Sequence, residues 1–130
     1  MTVLADTSIW VDYLKGGKGS KAARLDDLLS ATEVVVCGPV VAELLAGAKT
    51  ADRTKLWLLL TGLPWADLGP TQWQTVGEVA ARLRERGENV ALTDIEIAVA
   101  AVDSTSQLWT RDADFNRIRI ALTGLRLFEP

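Results

Sequence analysis

The 130-residue chain contains no histidine. This absence excludes Ser-His-Asp and Cys-His catalysis, imidazole zinc sites and acid–base chemistry by histidine. The single cysteine, Cys37, has no partner in the chain for a disulfide, which favours a reducing compartment. No apolar run is long enough to cross a bilayer, and the N-terminus lacks the basic region and cleavage site of a signal peptide. The sequence therefore predicts a cytoplasmic protein.

Basic residues are also outnumbered. The chain has 14 lysines and arginines against 17 acidic residues, and its net charge is −3. This balance argues against a general nucleic-acid coat protein, which binds phosphates through a basic surface. It does not exclude a nuclease, because a bound metal ion would cancel part of the acidic excess. With 48% hydrophobic residues, the chain can build one core, so residues 1–130 are expected to form a single domain.

Short apolar runs alternate with longer segments of helical periodicity. Strands separated by helices are joined by right-handed crossovers, so the pattern predicts an α/β fold with a mostly parallel sheet of about five strands. The predicted strands are Thr2–Ala5, Glu33–Cys37, Pro64–Ala66, Gln107–Thr110 and Arg126–Phe128. The predicted helices are Ser8–Lys15, Ser20–Ser30, Val40–Ala48, Ala51–Thr61, Thr71–Arg86 and Thr93–Asp103, with a short turn near Ala113–Arg117.

Local signals place several helix ends. Pro70 is typical of a helix start and Gly87 of a stop, while Gly16-Gly17 is expected to end the first helix. Thr93 is expected to cap the helix that follows it. One apolar face of the fifth helix is predicted from the spacing of Trp73, Val76, Ala80 and Leu83.

Five acidic residues lie where apolar segments end or begin: Asp6, Glu43, Asp94, Asp112 and Asp114. In parallel sheets, function gathers outside the carboxyl ends of the strands. Converging carboxylates repel one another and resist burial unless a cation lies between them. Because hard cations such as Mg²⁺ and Mn²⁺ prefer oxygen ligands, the pattern predicts a carboxylate metal site.

Each acid also has an ordinary structural interpretation. Asp6 could cap the first helix, and Glu43 could be an exposed helix residue. Asp94 could be a stabilising charge at a helix N-terminus, while Asp112 and Asp114 could form a turn after a strand. The metal site is favoured because all five are present together.

The chain resembles the PIN-domain family, and in particular the VapC-type toxins. The opening string VLADTSIWVDYLKG carries the resemblance first, and VVAELLAGA, LTDIEIAVAA and LWTRDADF follow in the family's order. Four pieces in this order are far more specific than any one alone. The resemblance implies a PIN-domain-like α/β/α sandwich and a Mg²⁺- or Mn²⁺-dependent endoribonuclease that a cognate VapB-like antitoxin neutralises. It also implies a homodimer.

The resemblance assigns the metal site to Asp6, Glu43, Asp94 and Asp112, with Asp114 as a further ligand in a variable part of the motif. Gly38 departs from the serine that many relatives carry before the helix, which weakens only its cap. Three hydroxyl residues are expected to support the acids: Thr7, Ser8 and Thr110. Arginines that could contact the RNA backbone are Arg82, Arg84, Arg86, Arg111 and Arg117.

Partner surfaces and rival functions complete the expectations. An antitoxin segment is expected to lie across helices near Trp10, Leu14 and Trp57, although the two tryptophans suit the core equally well. Glu96 is expected to face away from Asp94 and to lie on the surface.

A phospho-acceptor receiver domain would need a lysine near the last strand, and the last lysine is Lys55. The remaining alternative is a catalytically silent PIN-fold module that only binds an antitoxin.

Overall fold

The computed structural model describes residues 1–16 and 19–130 of the chain. Within them it forms an α/β fold with three strands and seven helices. The strands are β1 (Thr2–Ala5), β2 (Val34–Val35) and β3 (Ser106–Trp109). The helices are α1 (Thr7–Leu14), α2 (Ser20–Ser30), α3 (Gly38–Gly47), α4 (Arg53–Thr61), α5 (Pro70–Glu85), α6 (Leu92–Asp103) and α7 (Asp114–Ala121).

The sheet is parallel, with the strand order β2-β1-β3. This confirms the predicted α/β class and its parallel sheet. Two predicted strands, Pro64–Ala66 and Arg126–Phe128, are not regular strands, since each contributes one parallel bridge at an edge of the sheet, Val36 with Trp65 and Leu108 with Leu127. The first of these segments begins with a proline, which has no N–H to donate to a ladder. The regular sheet is therefore narrower than predicted.

The sheet is covered on both faces. Val3, Leu4 and Ala5 of β1 are all fully buried, although successive side chains of a strand point to opposite faces. Helices joined by parallel crossovers provide this cover. The core continues through Trp109 of β3 and Phe115 of α7, so the strand ends and the loops after them are fixed by packing on several sides.

The ends of α5 and the start of α6 can be compared with the ends predicted from the sequence. Gln72 accepts a hydrogen bond from the N–H of Gly69 at 2.9 Å, so α5 begins beside Pro70 as predicted. Gly87 has a φ of +76°, and it ends α5 with the two backbone bonds of a Schellman motif. The predicted cap at Thr93 is wrong: α6 begins at Leu92, its N-cap is Ala91, and no side chain caps it.

Two further expectations change, at α7 and at Trp73, and the expected end of α1 at Gly16 is confirmed. The turn near Ala113–Arg117 is the start of α7, and α1 ends before Gly16, whose φ is +70°; Gly17 lies outside the described residues. Trp73 is 50% exposed, although Val76 on the same helix is buried, because it precedes the part of α5 that packs on the core. In the described part of the chain, no helix is long and apolar enough to cross a membrane.

Candidate metal centre at the carboxyl ends of the strands

Asp6 is the most buried acid of the chain's described part, with 8% of its surface exposed. It directly follows β1, and its N–H donates to the carbonyl of Trp109 at the end of β3, at 2.9 Å. Its carboxylate accepts from the N–H of Thr7, so it caps α1, and from the hydroxyl of Thr110 at 2.7 Å. Asp6 therefore caps α1, which is its ordinary structural role, and it also lies at the carboxyl edge of the sheet, where the metal site was predicted.

Asp94, Asp112 and Asp114 form the tightest group of acids. One carboxylate oxygen of each lies within 4.8 Å of the others. Asp94 comes from the first turn of α6, while the other two follow β3. The N–H of Asp114 donates to Asp112 at 2.9 Å, which folds this short segment back on itself. Two separate parts of the chain therefore deliver three carboxylates to one place.

The repulsion among these carboxylates affects the pKa of Asp94. Burial, and next the negative charge of Asp112, raise the pKa of Asp94 to about 6 from the usual 3.8. The charges of Asp6, Asp114 and Glu43 raise it further. A hard cation would remove this repulsion, and three carboxylates offer it the oxygen ligands it prefers. The residues present therefore fit a divalent metal ion.

Glu43 lies on α3 and is exposed, outside the tight group of three. Its carboxylate accepts a hydrogen bond from the hydroxyl of Thr7 at 3.0 Å, which holds it at the same edge of the molecule as Asp6. The negative charge of Glu43 also raises the pKa of Asp94. All five predicted acids are thus electrostatically linked, but only three lie close enough to share one ion in this arrangement.

The predicted supporting hydroxyls have different positions. Thr7 and Thr110 contact acids of the site directly. The hydroxyl of Ser8 is buried and, among the described residues, has no hydrogen-bond partner, so it does not contact an acid.

Arg117, expected to contact the RNA backbone, pairs with an acid of the site. Its guanidinium donates to Asp114 at 2.6 Å and to Glu88, which lies after α5, at 2.7 Å. Of the other arginines predicted to contact RNA, Arg111 pairs with Asp12 at 2.8 Å and Arg82 donates to the carbonyl of Ala121. The i, i+3 spacing of Asp114 and Arg117 was the available signal, since such pairs meet on a helix.

Cys37 lies beneath the site but is not a candidate nucleophile. It is fully buried before α3. Burial is the main cause that raises the pKa of its thiol to about 12, and the charges of Asp6, Glu43 and Glu96 act in the same direction. Because the reactive form of cysteine is the thiolate, this residue acts as a small apolar side chain.

A largely apolar cleft of about 470 Å³ opens beside Glu43, and the charged residues Lys15, Lys49, Asp52 and Lys55 also line it. Leu14 and Leu59 line it and are 43% and 39% exposed. Trp10 is fully buried, so the expectation that it forms part of a partner surface is wrong, while Trp57 is 45% exposed but does not line this cleft. Trp10 lies in the core on α1, which packs against α2 and α3. Of the three residues, Leu14 is the one that lines the cleft.

Comparisons with known proteins identify the family of the chain. The sequence model of the PIN domain matches residues 3–121. Ribonuclease VapC11 of Mycobacterium tuberculosis is 31% identical over 121 residues, which cover 89% of this chain and 90% of the relative. A VapC ribonuclease of Mycobacterium bovis matches to the same extent.

Solved structures give the same result. VapBC2 of Rickettsia felis, bound to a DNA fragment from its promoter, superposes with a TM-score of 0.80 at 25% identity and covers 98% of both chains. VapBC-1 of nontypeable Haemophilus influenzae superposes with a TM-score of 0.75 at 20% identity, which shows the shared fold, and covers 99% of this chain and 98% of its own. The chain belongs to the PIN-domain family and, within it, to the VapC ribonucleases.

Proposed function

We propose that the chain is a metal-dependent endoribonuclease toxin that hydrolyses phosphodiester bonds in RNA and is neutralised by a VapB-like antitoxin. The observation that carries the proposal is the meeting of the carboxylates of Asp94, Asp112 and Asp114 within 4.8 Å. The raised pKa of Asp94 supports it, since the group carries a repulsion that a cation would relieve. The sequence identity of 31% to a ribonuclease, over 89% of this chain and 90% of that relative, supports RNA as the substrate.

In this proposal Asp6, Glu43, Asp94 and Asp112 are the catalytic acids, and Asp114 completes the metal ligands. Mg²⁺ is the proposed ion, and Mn²⁺ is expected to replace it, because both prefer carboxylate oxygens. Such an ion, when bound, lowers the pKa of water and stabilises charge on the leaving 3′-oxygen. This chemistry needs no histidine base, in agreement with a chain that has none.

The chain's own residues orient the acids. Thr110 donates to Asp6 and accepts from the N–H of Asp112 at 3.0 Å, so one hydroxyl fixes two acids. Thr7 holds Glu43 in the same way. For the RNA backbone we propose Arg111, which adjoins Asp112, and Arg82 and Arg86 near the end of α5.

The apolar cleft beside Glu43 is the proposed antitoxin surface. Leu14, Leu59 and the buried Leu56 and Leu44 line it, so it suits the apolar side chains of an amphipathic segment. Because it opens at Glu43, a basic side chain of that segment could reach the carboxylates and compete with the ion. We further propose that residues 1–130 act as a single domain, as a homodimer and in the cytoplasm.

A cleavage assay tests the proposed activity. The purified chain, freed of antitoxin, is incubated with a structured RNA in Mg²⁺, in Mn²⁺ and in excess chelator. We expect cleavage with either ion and none with chelator, and products with a 5′-phosphate and a 3′-hydroxyl. A chain that binds its antitoxin but leaves RNA intact under all three conditions would be a silent interaction module, and the proposal would be wrong.

A further inference from the structure

One side of α5 carries a row of exposed residues, which are Trp73, Gly77, Ala81 and Arg84. Helix positions four residues apart lie on the same face, and the eleven residues from Trp73 to Arg84 make about three full turns, so the two ends of the row point the same way. The middle of the row is small. Among the described residues, a Cβ atom added at Gly77 would meet no neighbouring side chain within 4 Å. The row is therefore open along roughly 16 Å of the helix, with large side chains only at its ends.

Two contacts show which side of α5 this row occupies. Arg82 donates to the carbonyl of Ala121, at the end of α7, at 3.1 Å. Trp73 and Arg82 are nine residues apart, about two and a half turns, so Trp73 lies on the side of α5 away from α7. On that side Trp73 lines a second cleft, of about 340 Å³, between the starts of α3, α5 and α6. The row thus begins at this cleft and ends at Arg84.

The second cleft suits a cationic group. Its charged side chains are the carboxylates of Asp67 and Glu96, and none of its lining residues is a lysine or an arginine. In the described part of the chain, neither carboxylate forms a salt bridge. Trp73, half of which is exposed, adds an indole face that attracts a cation. A guanidinium fits this combination best, because it stacks on an aromatic ring and donates parallel hydrogen bonds to a carboxylate.

Arg84 supplies a guanidinium at the other end of the row. It is exposed and forms no salt bridge with the described residues, whereas Arg82 pairs with Glu78 at 3.8 Å. Trp73 of the same molecule lies roughly 16 Å away along α5, farther than an arginine side chain extends. Arg84 can therefore stack on Trp73 only if that tryptophan belongs to another molecule.

The spacing of the row fits a two-fold axis. Most protein dimers have this symmetry, in which the same patch of both copies meets itself. Gly77 and Ala81 lie on either side of the midpoint between the two ends of the row, so the small residues are central. If two α5 helices cross antiparallel at this midpoint, the small residues let the backbones approach closely. Each Arg84 then lies opposite the Trp73 of the other copy, and two identical contacts form.

We propose that α5 forms a symmetric contact between two copies of this chain, in which Arg84 of each copy enters the second cleft of the other, stacks on Trp73 and pairs with the carboxylates there. This inference rests on the homodimer of the proposed function and names its surface, but it does not depend on ribonuclease activity. Tryptophan and arginine are the residue types that most often dominate the binding energy of an interface. Arg84, which was expected to contact the RNA backbone, is thereby assigned to the contact between subunits.

Sedimentation equilibrium of the purified full chain, freed of antitoxin, measures the dimer without RNA. Gly77→Leu has room in the monomer but holds the two helices apart, so it should raise the dissociation constant of the dimer at least about tenfold. Arg84→Glu should raise it at least about 100-fold, because it brings like charges together in both contacts. The matched controls are Lys21→Leu on α2 and Arg119→Glu on α7, both at exposed positions, and they should keep the wild-type constant.

A mixture of two variants tests the charge pairing itself. Arg84→Glu and Asp67→Arg, each alone, should dimerise more weakly than the wild type, because each places like charges in both contacts. Mixed in equal amounts, the two variants should form a heterodimer. One contact of the heterodimer has both charges reversed, and the other is the wild-type contact. We expect the heterodimer to form at least about tenfold more tightly than either variant alone.

Four results would overturn the inference, with all variants folded by circular dichroism. A wild-type chain that stays monomeric at high concentration would refute the homodimer and this contact with it. A dimer that persists unchanged in Gly77→Leu and Arg84→Glu would keep the homodimer and refute the α5 contact. A mixture without heterodimer would refute the pairing of Arg84 with the cleft. If Asp67→Arg keeps the dimer but loses affinity for the antitoxin, the cleft takes a basic group of the antitoxin instead. Because none of these measurements uses RNA, a chain that fails to cleave RNA can still confirm the contact.

Discussion

Thr110 and Asp6 are joined by a hydrogen bond of 2.7 Å, although 104 residues separate them in the chain. The same hydroxyl accepts the N–H of Asp112 at 3.0 Å. One side chain thus connects the end of β1 with the segment that carries the acids after β3. The proposed metal centre should depend on this connection, because it fixes the acids that follow two different strands relative to each other.

Thr110→Val tests this connection. The replacement has nearly the same shape but cannot donate to Asp6, whose carboxylate is buried, so the free energy of unfolding should fall by about 1–3 kcal/mol. The affinity for Mg²⁺ should fall as well. Urea unfolding and calorimetric titration would measure the two effects. Thr54→Val, at an exposed position of α4, is the matched control and should change neither. An unchanged Mg²⁺ affinity in the Thr110 variant would show that the hydroxyl does not position the acids.

The raised pKa of Asp94 predicts a pH dependence for the metal-free protein. Between the usual value of 3.8 and the folded value of about 6, the folded state binds more protons at Asp94 than the unfolded state does. The free energy of unfolding should therefore decrease as the pH rises through this window. After a discount for solvent screening, the contribution is about 1–2 kcal/mol.

Urea unfolding in chelator at pH 4.5 and pH 7 would measure it. Other carboxyl groups titrate in the same range, so the comparison is with Asp94→Asn, which should lack this part of the decrease. A variant with the same pH dependence as the wild type would contradict the assigned pKa. With Mg²⁺ present, protons compete for the same oxygens, and the stabilisation by the ion should grow as the pH rises.

Arg117→Met tests whether the charge of this arginine offsets the repulsion among the acids in the metal-free protein. The change releases Asp114 and Glu88 from ion pairs of 2.6 and 2.7 Å. Without this positive charge the acids repel one another more strongly, so the metal-free protein should be less stable and should gain more stability from Mg²⁺ than the wild type. Thermal melting with and without the ion would measure the gain. Arg119→Met on the same helix is the control, and an equal gain in both variants would count against this role.

Leu59→Asp tests the antitoxin surface. Leu59 supplies part of the apolar surface of the cleft, so its replacement by a charged residue removes apolar contact area, and the variant should bind the antitoxin about tenfold or more weakly while its ribonuclease activity is kept. Leu58→Asp is the matched control, since Leu58 is the neighbouring residue, is 65% exposed and does not line the cleft. Equal loss of affinity in the two variants would show that the cleft is not the binding surface.

The sequence predicts the parts of the fold that local rules determine. The bounds of β1 and α2 agree with the prediction at both ends, because a fully buried strand and an amphipathic helix have clear patterns. The width of the sheet was overestimated, since an apolar run of three residues such as Pro64–Ala66 gives no signal of whether it forms one bridge or a ladder. The wrong cap at Thr93 has a similar origin. Helix α6 begins at Leu92, the residue before Thr93, and no capping side chain marks this start in the sequence.

The site shows the same limit. Acids at segment ends could be predicted as a group, and Asp94, Asp112 and Asp114 do meet. The bond from Thr110 to Asp6 and the ion pair of Arg117 with Glu88 join side chains from elements distant in sequence. The exposure of Trp73 depends on where α5 leaves the core, which periodicity does not report.

RNA cleavage by Asp94→Asn tests the central claim most directly. The amide has nearly the size of the carboxylate, so the fold should be kept, and the metal-free protein should gain stability from the lost repulsion. As a poorer ligand for a hard cation, it should lower the cleavage rate in Mg²⁺ by at least about 100-fold, since even outer-shell partners of metal sites account for 10–100-fold. Asp103→Asn, at the exposed end of the same helix, should cleave at the wild-type rate. Wild-type cleavage by a folded Asp94→Asn protein would contradict the account.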